Sequence, residues 1–244
     1  MWDLWADLVL GSDCAACGEP GRALCPICRS ALPRGGTEVC PEPCPEGLVP
    51  VRAAGEYADA LRALVLAHKE HRRFALAAPL GDLVAESVLT LLRDLAHDPG
   101  RTVLLVPVPS RRSVVAARGH DPLLRIGRRA AGVLRGRGRQ ARLLPLLRQV
   151  SRPLDQAGLT ADQRRVNVAG RFGARPRAVP SGDLVLVDDV MTTGATLREA
   201  QRALEESGHP VLGAATVAAT RRRAVGGSAN SDPSFRSSPK GASV

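Results

Sequence analysis

An α/β fold with a mainly parallel sheet flanked by helices, preceded by a small cysteine-rich module, is what three features of this 244-residue sequence predict. Apolar runs such as TVLLVP (102–107) and LVLV (184–187) read as strands buried on both faces. Between such runs lie longer stretches with Leu, Val and Ala at i, i+3, i+4 spacing, the helical period, and strands alternating with helices build parallel sheets. The third feature is a pair of CxxC sequences, Cys14/Cys17 and Cys25/Cys28, separated by seven residues.

The opening MWDLWADLVLGSD places Trp2, Leu4, Trp5, Leu8 and Val9 at helical spacing, which predicts a short amphipathic helix packed on the body. Its flanks are acidic and lack a basic n-region, so it is not read as a secretory signal. No run is read as approaching the ~20 apolar residues of a membrane span, and the expected location is cytoplasmic. In that compartment thiols stay reduced, so paired CxxC turns are metal ligands more often than disulfides. Four thiolates in tetrahedral geometry suit a structural zinc ion, with redox or inert thiols as the alternative. Cys40 and Cys44, in VCPEPCP, are either the remnant of a second site or alternative ligands to the first. Residues 1–48 are read as this helix and zinc-binding module.

Residues 49–220 are read as the main domain. VPVRAAGEY (49–57) is a strand, and ADALRALVLAHKEH (58–71) and ALAAPLGDLVAESVLTLLRDLA (75–96) are helices. TVLLVPVP is a strand ended by prolines, and DPLLRIGRRAAGVLRGR (121–137) is a helix with Pro122 in its first turn. ARLLPLLRQV (141–150) fits either type, and TADQRRVNVAGRF (160–172) begins helically after a Thr cap. GDLVLVDDV (182–190) is a buried strand, ATLREAQRALEESG (195–208) a helix closed by Gly208, and PVLGAATVAAT (210–220) the last strand. Residues 221–244 are rich in Ser, Gly, Pro and Arg and are read as a disordered basic tail.

The net charge of +10 is concentrated: residues 111–177 hold 17 Arg against 3 Asp. Such a segment favours a polyanion or a phosphorylated ligand, or is a solvated basic face. Aromatic residues are 2% of the chain, so stacking platforms for single-stranded nucleic acid are scarce.

The stretch VLVDDVMTTGATL (185–197) carries the chemistry. A strand ends in Asp188 and Asp189, then a turn rich in threonine leads into a helix. Ligands of open parallel sheets bind at such carboxyl ends, and a helix start with unsatisfied N–H groups seats phosphate. Thr192, Thr193 and Thr196 add hydroxyls, and Gly194 allows close backbone approach. The GxxxxGK[ST] spacing of a nucleoside-triphosphate loop is missing. Two carboxylates beside an anion site would repel it unless they face ribose hydroxyls or a magnesium ion. The alternative is a helix cap with no ligand.

This stretch resembles the phosphoribosyl-pyrophosphate motif of type I phosphoribosyltransferases. The wider order of features resembles the ComF family of competence-related proteins, in which a zinc-binding module precedes such a domain. These features are the CxxC pairs, the HK at Lys69, VPVPSRRS, ARGHD, the set Gln156, Leu159, Arg164, Asn167 and Phe172, and the Asp-Asp loop. The resemblance implies a type I phosphoribosyltransferase-like fold. It assigns Asp188 and Asp189 to the ribose hydroxyls and Thr192, Thr193, Gly194, Ala195 and Thr196 to the 5′-phosphate. Pro109, Ser110 and Arg111 fall in the pyrophosphate loop, with Lys69 and Arg118 as further pyrophosphate candidates, and Gln156, Arg164 and Asn167 are other candidates. Family members commonly read Arg-Gly-Phe-Asn-Gln where this chain has Arg118, Gly119, His120, Asp121 and Pro122, so it departs at the last three.

Two functions compete. One is magnesium-dependent transfer of the phosphoribosyl group to an unknown acceptor. The other is a non-enzymatic accessory role in DNA uptake, in which the chain binds single-stranded DNA or a helicase partner. The expected partners are therefore phosphoribosyl pyrophosphate, single-stranded DNA with DNA-uptake proteins, and a second copy in a homodimer, but no membrane.

Overall fold

The structure, a computed structural model, describes residues 13–110, 115–116, 119–150, 170–176 and 178–220. The expected N-terminal helix, the expected helical start of the segment 160–172, the tail, and the candidates Arg111, Arg118, Gln156, Arg164 and Asn167 lie outside the described residues.

Among the described residues, the chain runs through a short helix α1 (Pro26–Ser30) and strands β1 (Thr37–Glu38) and β2 (Val51–Glu56). Helix α2 (Asp59–Glu70), a 3-10 turn (Phe74–Leu76) and helix α3 (Ala77–Asp94) lead to β3 (Val103–Pro107). Helix α4 (Pro122–Gly136), β4 (Ala141–Leu143), β5 (Leu147–Gln149) and β6 (Phe172–Ala174) follow. The chain then forms β7 (Asp183–Met191), α5 (Ala195–Glu205) and β8 (Val211–Ala219).

The main sheet has the order β1-β2-β8-β7-β3-β4, antiparallel only at β1/β2. All five β3 residues and Leu184–Val187 of β7 are buried, as strands covered on both faces must be. The core is almost wholly Leu, Val and Ala, as the scarcity of aromatics requires. Small residues let the layers approach closely: a Cβ on Gly81 of α3 would lie 2.8 Å from the Ile126 carbonyl of α4 and 2.5 Å from Arg129 Cβ.

Helix α4 starts as its sequence dictates. Asp121 Oδ1 accepts the N–H groups of Leu123 and Leu124 at 3.0 and 3.3 Å, and Pro122 occupies the first turn, where its missing N–H costs nothing. Thus two of the three departures at 120–122 form a cap.

The ambiguous segment 141–150 divides at Pro145 into two strands. β4 extends the main sheet beside β3, and β5 turns away to pair antiparallel with β6, Leu147 opposite Ala174. Phe172, the last residue of the segment with the helical start, is in a strand.

One further expectation needs correcting. Phe74–Asp94 is long and apolar enough to cross a membrane by length and composition, with mean hydropathy 1.5. Two-thirds of that window is buried in the fold, because α3 is the helix that packs on β2, β8 and α4.

Candidate functional site

β7 is interior to the sheet, between β3 and β8, so its carboxyl end emerges at the middle of the sheet edge. Its buried apolar run gives way there to the half-buried Asp188 and Asp189. Asp188 Oδ1 accepts the Asp189 N–H at 2.9 Å, and Asp189 Oδ1 accepts the Val190 N–H at 2.8 Å. The carboxylates therefore grip their own strand end and do not cap the following helix. Burial, and then the adjacent Asp189 charge, push the Asp188 carboxyl up to about 8.

Beyond Met191 the chain turns through Thr192 and Thr193 to Gly194, which stands at φ 71°. A side chain there would be strained by the left-handed backbone. It would also meet Leu48, Pro41 and Pro45 at 3.1–3.2 Å. α5 begins at Ala195, whose N–H donates to Thr193 Oγ1 at 3.4 Å; Gly194 itself has no side chain to cap the amides of Thr196 and Leu197, which sit at the positive end of the helix where an anion is favoured. Thr192 and Thr193 are exposed, and Ala195 and Thr196 half-buried.

A cavity of about 230 Å³ opens over the aspartates. Six candidates line it together: Lys69, Pro109, Ser110, Asp188, Asp189 and Thr196. Lys69 Nζ lies 2.6 Å from Asp189 Oδ2, joining the end of α2 to β7. Thr192, Thr193, Gly194 and Ala195 form the turn behind Thr196 and do not line this cavity.

The opposite wall comes from Pro122 and Leu123 at the start of α4, Gln149 of β5, and Arg171 and Phe172 where β6 begins; of these, Leu123, Gln149 and Arg171 have no individual sequence signal. Gln149 Nε2 donates to the Pro109 carbonyl at 3.2 Å, fastening the small sheet to the loop after β3. The buried Glu199 of α5 accepts the Phe172 N–H at 3.1 Å, while Arg202 Nη2 donates to the Phe172 carbonyl at 3.2 Å. One helix thus carries the turn on its N-terminus and steadies the wall with its second turn. Beside Lys69, the buried His68 lies 3.1 Å from the Arg73 carbonyl and 3.3 Å from that of Pro122. Burial pushes its imidazole below the ordinary range, despite the raising effect of those carbonyls.

At the N-terminal end, the Sγ atoms of Cys14, Cys17, Cys25 and Cys28 lie within 4.8 Å of one another, a set able to hold one metal ion. Burial opposes ionisation of Cys14, but N–H groups of Cys25, Cys17 and Ala16 outweigh it and bring the thiol down to about 6. The neighbouring Cys17 and Cys25 sulfurs push Cys28 up to about 12. Four crowded sulfurs favour only partial ionisation until a cation neutralises them, which is the chemistry of a metal site.

Cys40 and Cys44 are joined to each other as a disulfide, with Cα atoms 5.6 Å apart. This differs from the expectation of reduced thiols and leaves neither as a ligand to the four-cysteine cluster. Their loop packs behind Gly194 through Pro41, Pro45 and Leu48. It is tied to α5 by Arg198 Nε donating to the Glu46 carbonyl and Gln201 Nε2 to the Gly47 carbonyl, each at 2.9 Å.

No protein-family model matches the chain, and no curated protein matches it.

Proposed function

We propose that this chain binds phosphoribosyl pyrophosphate with magnesium and transfers the phosphoribosyl group to an acceptor. We further propose that its domain at 49–220 is a type I phosphoribosyltransferase-like fold of the ComF kind. The observation that carries this reading is the pairing, at one interior strand end, of adjacent carboxylates with a threonine-glycine turn into a helix N-terminus. Vicinal hydroxyls and a monophosphate, held side by side, are what such a pair recognises.

In this reading the α5 amides and Thr196 hold the 5′-phosphate, and Asp188 and Asp189 face the ribose hydroxyls. Ser110 and Lys69 stand at the diphosphate end. The hard oxygens of the two aspartates fit magnesium, which when bound supplies charge neutralisation to the diphosphate. In the transfer, the bond from C1 to the diphosphate oxygen breaks and its electron pair leaves with the diphosphate. The acceptor's nucleophile bonds C1 and its proton passes to solvent. The pocket walls contribute by fixing the sugar and excluding water from C1.

For the four-cysteine cluster we propose zinc, since four soft thiolates suit a closed tetrahedral site. Titration calorimetry with phosphoribosyl pyrophosphate and magnesium, followed by turnover with a panel of nucleobases, tests binding and transfer separately.

The second reading, an accessory protein of DNA uptake, draws on the exposed guanidinium groups of α4 and the strands after it, among them Arg128, Arg142 and Arg148. It requires DNA affinity that falls steeply with salt and survives Asp188→Asn with Asp189→Asn.

A further inference from the structure

The geometry points to Lys69 as an internal counter-ion that occupies the divalent cation's place at Asp189 and is handed to the diphosphate when metal and ligand arrive together. This rests on the reading of the pocket given above. Lys69 Nζ lies 2.6 Å from Asp189 Oδ2, with 33% of the lysine side chain and 16% of the aspartate side chain exposed. Burial and the Asp189 charge disfavour a second negative charge on the adjacent Asp188, and the ammonium at Asp189 balances the charge that remains without a metal.

The choice of residue supports exchange. Of 34 basic residues only Lys69 and Lys240 are lysines, so the cation beside the paired acids is the compact, flexible type in a chain that otherwise uses arginine. A guanidinium fork would hold the carboxylates bidentately and resist displacement. The backbone at this point is fixed, because the neighbouring His68 ring is lodged between the Arg73 and Pro122 carbonyls. The four-carbon stem of Lys69 can turn within a cavity it shares with Ser110, at the end assigned to diphosphate.

The consequence is coupled binding. A divalent cation entering alone must displace the ammonium from Asp189 and brings no anion of its own in exchange. A cation entering with a diphosphate supplies that anion at the same moment. The site therefore discriminates against free metal and favours the metal–diphosphate ligand.

Manganese is the probe, with the zinc-loaded full chain and electron paramagnetic resonance of unbound metal as the readout. Lys69→Met is expected to bind manganese alone about fivefold more tightly than the unaltered chain, the effect of removing a competing ion pair of about 1 kcal/mol. Asp189→Asn removes that gain, and Lys69→Arg does not reproduce it. Unchanged or weaker manganese binding by folded Lys69→Met overturns the inference.

A second readout needs no variant. With lysine labelled at 13Cε the chain gives two signals, and the Lys69 signal shifts on adding magnesium with phosphoribosyl pyrophosphate while that of Lys240 does not. A stationary Lys69 signal during demonstrated ligand binding also overturns the inference. If phosphoribosyl pyrophosphate fails to bind, the proposed function falls, while manganese binding by Lys69→Met still decides the role of Lys69.

Discussion

The carboxylate of Glu199 on α5 accepts the backbone N–H of Phe172 on β6 at 3.1 Å, so the helix that opens at the Gly194 turn also holds the far wall of the pocket. Burial opposes ionisation of Glu199, but Arg202 and the N–H groups of Phe172 and Gly170 outweigh it and hold the carboxyl below its ordinary 4.5. A depressed carboxylate stabilises the fold above the unfolded value, and that contribution is lost as pH falls through the folded one.

Glu199→Gln is expected to cost about 1.5–3 kcal/mol near neutral pH, the range for a hydrogen-bonded buried charge. The cost should shrink below pH 4.5, where the original carboxylate loses its advantage. Urea denaturation at a series of pH values checks both; an equal loss at every pH would contradict the charge-based account.

Asp188 behaves with the opposite sign. Its carboxyl is raised from 3.8 to about 8, so the folded chain holds a proton that the unfolded chain releases, and stability falls as pH rises between those values. Asp188→Asn should flatten that fall, which shows as a growing stability advantage of the variant from pH 5 to pH 8. A constant difference across that range would mean that Asp188 is not raised.

Gly194→Ala should destabilise the fold by at least about 1–2 kcal/mol from the left-handed backbone alone. The contacts with Pro41, Pro45 and Leu48 add to this. Thermal unfolding would drop by roughly 2–4 °C per kcal/mol in a chain of this size. An unchanged melting temperature would show that the turn relaxes freely.

Removing metal from the four-cysteine cluster with a strong chelator should make the segment around Cys14–Cys28 sensitive to protease while the sheet retains its circular dichroism. Elemental analysis before treatment should find one zinc per chain. A chain purified under reducing conditions without metal, and resistant to protease, would contradict a metal-held module.

The sequence made some of this legible and concealed the rest for identifiable reasons. β3 and β7 announce themselves because central parallel strands need uninterrupted apolar runs, and the paired aspartates stand where such a run ends. β5 and β6 span three residues each, too short for any period, and their pairing joins Leu147 to Ala174 across the chain. The partnership of Lys69 with Asp189 spans 120 positions and leaves no local trace. Gln149 and Phe172 become wall residues only through that tertiary pairing. The apolar length of α3 is hidden in the sequence because Asp82 and Glu86 interrupt the run, although both stand among buried neighbours.

The central claim is that Asp188, Asp189 and the turn into α5 form a site for a phosphorylated ribose. Titration calorimetry of phosphoribosyl pyrophosphate with magnesium tests it most directly, on the zinc-loaded chain and on the chain carrying both Asp188→Asn and Asp189→Asn. The account predicts saturable binding to the first, at one site per chain, and its loss in the second with the fold intact. Absence of binding to the unaltered chain, or equal binding to both, would contradict it.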